Sequence, residues 1–569
     1  MSKYLSISDD DFYSSINKNF KQFKIPKKKL TMEDICFPKK FTYQIPQLFA
    51  AEFINPKTDY LSLLIYHEIG SGKTCTAIKI AENFKSSTDI IVVLPASLID
   101  NFRTELRSQC GGNTYLTESN REKLSTLPPS SKEYKSIISD SDDLINSYYK
   151  IYSYQMFIKD ISRNKINLSN SLLIIDEVHN LVSETGVFYE NLYKAVHAPS
   201  HKNMRIVAMT ADPIYNKPSQ LALTLNLLLK DKQMPVGPEF DTTFIDKKIT
   251  ETGPVYNIKN VNLLKAYCKG IISYYRGAPK IAYPKSKLNI VKIKMSEKQR
   301  RIYNGIVRDK NLENSNDYLN MDVSNSFFIN TRLASNFVFP NNELGEKGYA
   351  SLKPEDFKPK NLLKYSPKFA TILERLNNCK GVAFVYSNFK KYAGVLTLAD
   401  MLIHNGYKNY AKDGPGENRF VVFSGDQSAD FRSEAKAVIN NYNNRTGSNI
   451  KIILGSPSVK EGISFLRVQE VHIVDPYWNM SRINQIKGRG IRFCSHKDVP
   501  ENKRFVNVYM YLSVHDKIKK SIDQYIMDVA LSKQHITSKF IKVMKESAID
   551  CALFHNINSD KENPITCDI

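Results

Sequence analysis

The sequence predicts an α/β protein built from two tandem parallel sheets, with a helical insertion between them and a helical extension at the C-terminus. Three observations predict it. Apolar runs of strand length recur between helix-length segments, the pattern of strands buried on both faces of a parallel sheet. These runs fall into two series, separated by a charged, Asn-rich stretch. The first of them leads into a Gly-Ser-Gly turn that opens a helix, a favourable start for phosphate binding.

Residues 1–40 are polar and Lys-rich and read as an arm. Within 41–240, YLSLLIYHE (60–68), DIIVVLP (89–95), NSLLIIDE (170–177) and MRIVAMTA (204–211) read as buried strands ending in polar residues. From 241 to 360 the pattern loosens into segments such as RDKNLENSNDYLNMDVSNS (308–326), read as a helical insertion or bridge. The second series covers 361–513: KGVAFVYS (380–387), RFVVFSG (419–425), IKIILGS (450–456), EVHIVDP (470–476) and RFVNVYMYLS (504–513). Residues 514–569 read as helices. No short repeat is visible, and the two series suggest two similar α/β domains.

The 569 residues suffice for two or three domains with their own cores. Apolar content of 42% is that of a globular protein, and no apolar run approaches the roughly 20 residues of a membrane helix. The opening MSKYLSISDDDFYSS carries no secretory signal pattern. Eight cysteines without CxxC or Cys/His clustering suit a reducing compartment and argue against structural zinc or a disulfide framework. The expected address is cytoplasmic, with the nucleus an alternative if PKKK (26–29) were a targeting signal. A net charge of +22 points to a polyanionic partner, although abundant Lys, Asn, Ile and Tyr also fit an AT-rich genome.

HEIGSGKT (67–74) follows the phosphate-loop pattern G-x-x-x-x-G-K-[ST], with His67 where the first glycine belongs. The candidate phosphate-binding residues are His67, Glu68, Ile69, Gly70, Ser71, Gly72, Lys73 and Thr74. Gly70 and Gly72 let the backbone curl its N–H groups toward phosphate oxygens. Lys73 would reach the β- and γ-phosphates of ATP, and Thr74 would hold Mg²⁺. LLIIDEVH (172–179) supplies two carboxylates at a strand end: Asp176 for the metal and Glu177 as base on the attacking water. An Asp-Glu pair can also merely cap a helix, but a phosphate loop upstream favours hydrolysis.

QIKGRGIRFCSH (485–496) has the spacing Q-x-x-G-R-x-x-R, which predicts Gln485, Arg489 and Arg492 on successive turns of one helical face. Arginines so placed can stabilise charge on a transferring phosphoryl group; an exposed basic helix that binds DNA is the plainer alternative.

The ordered set formed by the phosphate loop, DEVH (176–179), MTADP (209–213), GSPSVKEGISF (455–465) and QxxGRxxR (485–492) resembles a superfamily 2 helicase or translocase over residues 42 to 513. Local phrasing is similar to helicase-like NTPases of large cytoplasmic DNA viruses, of the nucleoside triphosphate phosphohydrolase I and early transcription factor small-subunit types, with relatives on yeast linear plasmids. The phrases are HEIGSGKTCTAI, DEVHNL, ADPIYNKPSQLALTLNLLL, ISYYRGAP, DPYWNMSRINQIKGRGIRFCSHKDVP and KESAIDCALFHNIN. The resemblance implies two RecA-like domains with ATP in the cleft and nucleic acid across their tops. In that group the loop begins with HE, so His67 is the family's habit.

The resemblance also implies residue roles. Gln47 in PQLFAAEF matches an adenine-reading glutamine, with Tyr43-Gln44 as a competing alignment. Pro95 and Ser97 in LPASLIDNF (94–102) match a segment touching the nucleic-acid backbone, although a plain strand–helix turn has the same look. Ser387, Ser424, Gly425 and Ser456 match backbone-contacting loops of the second domain, and Gly462, beside Glu461, an element touching both ATP and strand. His179, Thr210 and Ala211 match the relay from hydrolysis to the strand-binding face, where Asp212 replaces the usual threonine. The aromatics of ISYYRG (272–277) and Trp478 can stack on bases or pack in the interior, and Cys551 reads as packing rather than as a catalytic thiol. The implied function is an ATP-dependent DNA translocase partnered with RNA polymerase or transcription factor subunits, with salt-sensitive phosphate contacts. Alternatives are an RNA helicase and a polymerase-bridging subunit whose ATPase is secondary.

Overall fold

A computed structural model of the chain describes residues 6–27, 30–128, 130–182, 186–250, 253–307, 328–457 and 463–568. The backbone divides into two compact units, one of residues 1–247, 256–279 and 536–569, the other of 248–255 and 280–535.

In the first unit the apolar runs become β1 (Ser62–His67), β2 (Asp89–Leu94), β4 (Ser171–Ile175) and β5 (Arg205–Thr210), joined by β3 (Tyr149–Ser153) and β8 (Ile272–Tyr275). All pair in parallel, in the order β3-β2-β4-β5-β1-β8. Neighbouring residues along each run point to opposite faces, and both sets are buried. Leu63 and Ile65 join Val92, Ile174 and Val207 on one side, while Leu64, Ile91, Leu173 and Ala208 are also fully covered. Each such aliphatic side chain contributes about 1.5–3 kcal/mol by leaving water. β6 (Ile245–Thr250) and β7 (Gly253–Ile258) form a separate two-stranded sheet.

The N-terminal stretch expected as a polar arm contains a helix, Phe12–Asn19. Phe12, Ile16 and Phe20 recur every fourth residue and are buried in the first unit's core, with the charged residues left outside.

In the second unit the strands are β9 (Lys285–Lys294), β10 (Val382–Tyr386), β11 (Lys408–Asn409), β12 (Arg419–Phe423), β13 (Ile452–Gly455), β14 (Val468–Ile473) and β15 (Phe505–Val514). They form one parallel sheet in the order β11-β12-β13-β10-β14-β15-β9. Ala383 and Val385 face one apolar cluster, and Val382, Phe384 and Tyr386 face another. Residues 241–360, read from sequence as helical, thus also contain strands belonging to both sheets.

The cysteines correct one expectation. Cys75 is bonded to Cys110 and Cys551 to Cys567, whereas Cys268 and Cys379 are buried thiols. Partners separated by 35 and 16 residues meet only through folding, so their spacing carried no signal. No described helix is long and apolar enough to cross a membrane.

Candidate functional site

β1 delivers the chain to the phosphate loop, and the helix Lys73–Phe84 carries it away. Between them Gly70 and Gly72 adopt left-handed φ values of 82° and 78°, which a side chain would strain. At Gly72 an added Cβ would also stand 2.6 Å from Gln47 Nε2. The Ser71 hydroxyl is buried and has no hydrogen-bond partner. Lys73 Nζ donates to the His67 carbonyl at 3.1 Å, a contact it must exchange to reach a phosphate. His67 is wholly buried; that burial, and secondarily the Lys73 charge, lowers its imidazole to about 3, so it is neutral.

Gln47 is engaged at both ends of its amide. Its Oε1 accepts from the Gln44 backbone N–H at 2.8 Å, and its Nε2 donates to the Gly72 carbonyl at 3.1 Å. It thereby fastens the helix Ile45–Phe53 to the phosphate loop. The neighbouring Gln44 has a buried Oε1 with no hydrogen-bond partner. Tyr43 lies beside it, hydrogen-bonded to the Cys110 carbonyl, with Lys79 Nζ 5.0 Å from its ring centre.

Asp176 and Glu177 follow β4 directly. The Asp176 backbone N–H continues the sheet by donating to the Val93 carbonyl, and its Oδ1 accepts from the Glu177 N–H at 2.9 Å. Glu177 itself is left-handed (φ 49°), an unusual conformation for a side-chain-bearing residue. Tyr154, which sequence reasoning missed for want of any motif, supports this turn by donating to both main-chain carbonyls. Glu177 Oε2 is buried without a hydrogen-bond partner and lies 3.5 Å from His179 Nδ1. The same Nδ1 is 2.9 Å from Thr210 Oγ1, which also accepts from the Asp212 N–H. Tyr215 stacks on the His179 ring. One side chain therefore joins the carboxylate turn to the segment after β5, where half-buried Ala211 follows Thr210.

These side chains fit a nucleotide with Mg²⁺. Thr74 and Asp176 present oxygen ligands, which suits a cation that keeps waters and borrows phosphate oxygens rather than entering a protein cage. Among the described residues no group of three or more His, Cys, Asp or Glu forms such a cage.

The candidate strand contacts differ among themselves. Ser97, in the short turn Ala96–Leu98 after β2, is exposed, while Pro95 is buried. Ser387 is a correction: it is buried, its hydroxyl donates to Asp475 Oδ1 at 2.7 Å and accepts from the Phe389 N–H, so no side-chain donor remains for a phosphate. Ser424 and Ser456 are buried, and Gly425 is exposed at the end of β12. Gly462 and Glu461 lie outside the described residues.

Q-x-x-G-R-x-x-R brings a second correction. The helix Met480–Lys487 includes Gln485 but stops before both arginines. Gly490 packs against β14, where an added Cβ would stand 3.0 Å from Val468, and the tight turn that permits this ends the helix. Arg489 is buried and donates to the Ile463 carbonyl at 3.1 Å, whereas Arg492 is half-buried beyond the turn. The aromatics are interior: Trp478, Tyr274 and Tyr275 are all buried, so none presents a face for base stacking.

Three family descriptions match in chain order: SNF2-related domain over 37–337, helicase conserved C-terminal domain over 367–494, and nucleoside triphosphatase I C-terminal over 496–565. A protein of Acanthamoeba polyphaga mimivirus, named as an ATP-dependent RNA helicase, is 53% identical over 98% of this chain and 97% of its own length. The chain belongs to the SNF2-related, superfamily 2 helicase-like NTPases. A second member of the family from the same virus, similarly named, is 28% identical over 96% of this chain and 78% of its own. A termination factor NPH-I homolog of African swine fever virus is 24% identical over 86% of this chain and 76% of its own. Membership of this NTPase family makes the chain an ATP-dependent enzyme of helicase type.

Proposed function

We propose that the enzyme is a DNA translocase that acts with a transcription apparatus. One observation carries this reading: His179 stands between Glu177 and Thr210, so the hydrolytic carboxylate is tied to the segment the family uses to report on a bound strand. In the proposed step, Glu177 Oε2 takes the proton of the attacking water, while Lys73 and the loop N–H groups hold the β- and γ-phosphates. Mg²⁺, held by Thr74 and Asp176, would offset phosphate charge. Thr210 and His179 would then transmit the change in charge at Glu177 to the strand-contacting turn at Ser97.

The name termination factor carried by the swine fever virus relative supports transcription, and with it DNA, as the setting. A second reading, an RNA helicase, is favoured by the name of the mimivirus relative. Both give a partner that is a polyanion, in keeping with the +22 charge.

ATP hydrolysis by the purified chain, alone and with single-stranded DNA, duplex DNA or RNA, separates the readings. Stimulation by DNA above RNA is expected. Equal or greater stimulation by RNA would replace the proposal with the RNA helicase. Absence of stimulation by any strand would contradict both and leave a bridging subunit.

A further inference from the structure

β8 is the edge strand beside β1, yet its outer edge is not open. The Ile549 N–H donates to the Ile272 carbonyl at 2.8 Å. Asp550 Oδ1 accepts the Tyr274 N–H at 2.9 Å. Asn558 spans the next turn, donating to the Tyr274 carbonyl at 2.8 Å and accepting the Arg276 N–H at 3.0 Å. The segment around the helix Cys551–Asn558 thus stands in for a seventh strand, with two side chains doing what a backbone would do.

The same segment reaches the phosphate loop. The second carboxylate oxygen of Asp550 accepts the Ser273 hydroxyl, and Ser273 Oγ lies 3.1 Å from His67 Nε2. All three side chains are fully buried. Burial raises the Asp550 carboxyl to about 7, and above that pH the serine proton is committed to the carboxylate, so the serine lone pair accepts from Nε2–H of the neutral imidazole. The other ring nitrogen, Nδ1, has no hydrogen-bond partner. The His67 carbonyl, in turn, is the resting acceptor of Lys73. The next loop residue is held from the same side: Glu68 Oε1 accepts from Tyr274 Oη at 2.7 Å and from Lys545 Nζ at 3.3 Å, and Lys545 sits 4.4 Å from the Tyr274 ring centre.

We infer that Asp550 and Ser273 are positioning residues of the ATP site, fixing His67 and thereby the entry of the phosphate loop and the rest position of Lys73. A glycine at the loop's first position offers no such handle; the histidine supplies a ring that a buried hydroxyl can grip. Asp550 of the C-terminal segment thereby reaches the phosphate loop through Ser273 and His67. The inference rests on the nucleotide reading of the loop.

Ser273→Ala and Asp550→Asn are compared with Phe554→Leu, each in the full chain, by strand-stimulated kcat, KM for ATP, nucleotide affinity and thermal unfolding. Phe554 is buried in the core on the same C-terminal helix; its main-chain N–H donates to the Asp550 carbonyl, a bond that leucine keeps, and its ring makes no hydrogen bond to Asp550, Ser273 or His67, so leucine removes packing and leaves the Asp550–Ser273–His67 contacts in place. Ser273→Ala and Asp550→Asn are expected to lower kcat on the order of 10–10²-fold per folded molecule with a smaller change in nucleotide affinity, since small misplacements of phosphate-holding groups cost rate in this range. Phe554→Leu is expected to lower the melting temperature and leave kcat in place. Should Asp550→Asn fail to fold, Ser273→Ala decides. Wild-type kcat in Ser273→Ala, or an equal fall in Phe554→Leu, would overturn the inference. A Lys73→Ala variant run alongside distinguishes failure of the nucleotide reading itself, because continued hydrolysis there would refute the loop assignment whatever Ser273→Ala does.

Discussion

Lys73→Ala is expected to lower kcat by at least roughly 10²–10³-fold, the scale for removing one preorganised electrostatic donor from a transferring group. Its ammonium is the one cationic side chain that the loop itself provides, and in the resting structure it is parked 3.1 Å from the His67 carbonyl. Exchange of that neutral acceptor for phosphate oxygens is favourable only when nucleotide arrives, so the lysine contributes to binding and to the transition state together. Nucleotide affinity should therefore fall as well, and equilibrium binding beside steady-state hydrolysis checks both. Alanine removes one hydrogen bond to the end of β1 and leaves the pairing of the strands intact, so thermal stability should move little. Retained hydrolysis would mean that the loop is not the phosphate site.

Glu177→Gln should behave differently. The glutamine keeps the shape and the left-handed turn supported by Tyr154, but it cannot take a proton. Nucleotide binding is expected to persist, while turnover falls by about 10²–10⁴-fold, the usual worth of general base catalysis. Isothermal titration and single-turnover hydrolysis distinguish the two effects. The position of Glu177 Oε2, buried and without a hydrogen bond yet 3.5 Å from His179, adds that the amide should also disturb the link to Thr210. Turnover at the wild-type rate would place the base elsewhere.

The central strands were legible because burial on both faces leaves a run such as LLII or IIVV with no polar residue to confuse it. Strands whose outer face or edge meets water, or polar neighbours, were not. β9, Lys285–Lys294, interleaves lysines with Leu288, Ile290, Val291 and Ile293 because it is a sheet edge, and charge on an edge resists unwanted pairing. β8 reads ISYY, a stretch equally open to base stacking and to interior packing, and Tyr274 and Tyr275 are interior. The helix Phe12–Asn19 carried its spacing in plain view, but the surrounding Lys and Asp dominated the composition.

The phosphate loop and DEVH were readable because local backbone geometry demands those residues at those spacings. Q-x-x-G-R-x-x-R was misread in shape: periodicity placed its arginines on a helix, and close packing of Gly490 against β14 ended that helix first. Ser387 shows a further limit, since a strand-end serine looks the same whether it faces a ligand or, as here, Asp475. Likewise, nothing local in AIDC announces that Asp550 meets Ser273 across 277 residues of chain.

The most direct measurement of the central claim is displacement of a third DNA strand annealed to a duplex, followed with time in the presence of enzyme and ATP. Movement along DNA predicts displacement that requires hydrolysable ATP and is lost in both Lys73→Ala and Glu177→Gln. Vigorous ATP hydrolysis on that same substrate with the third strand left in place would contradict it.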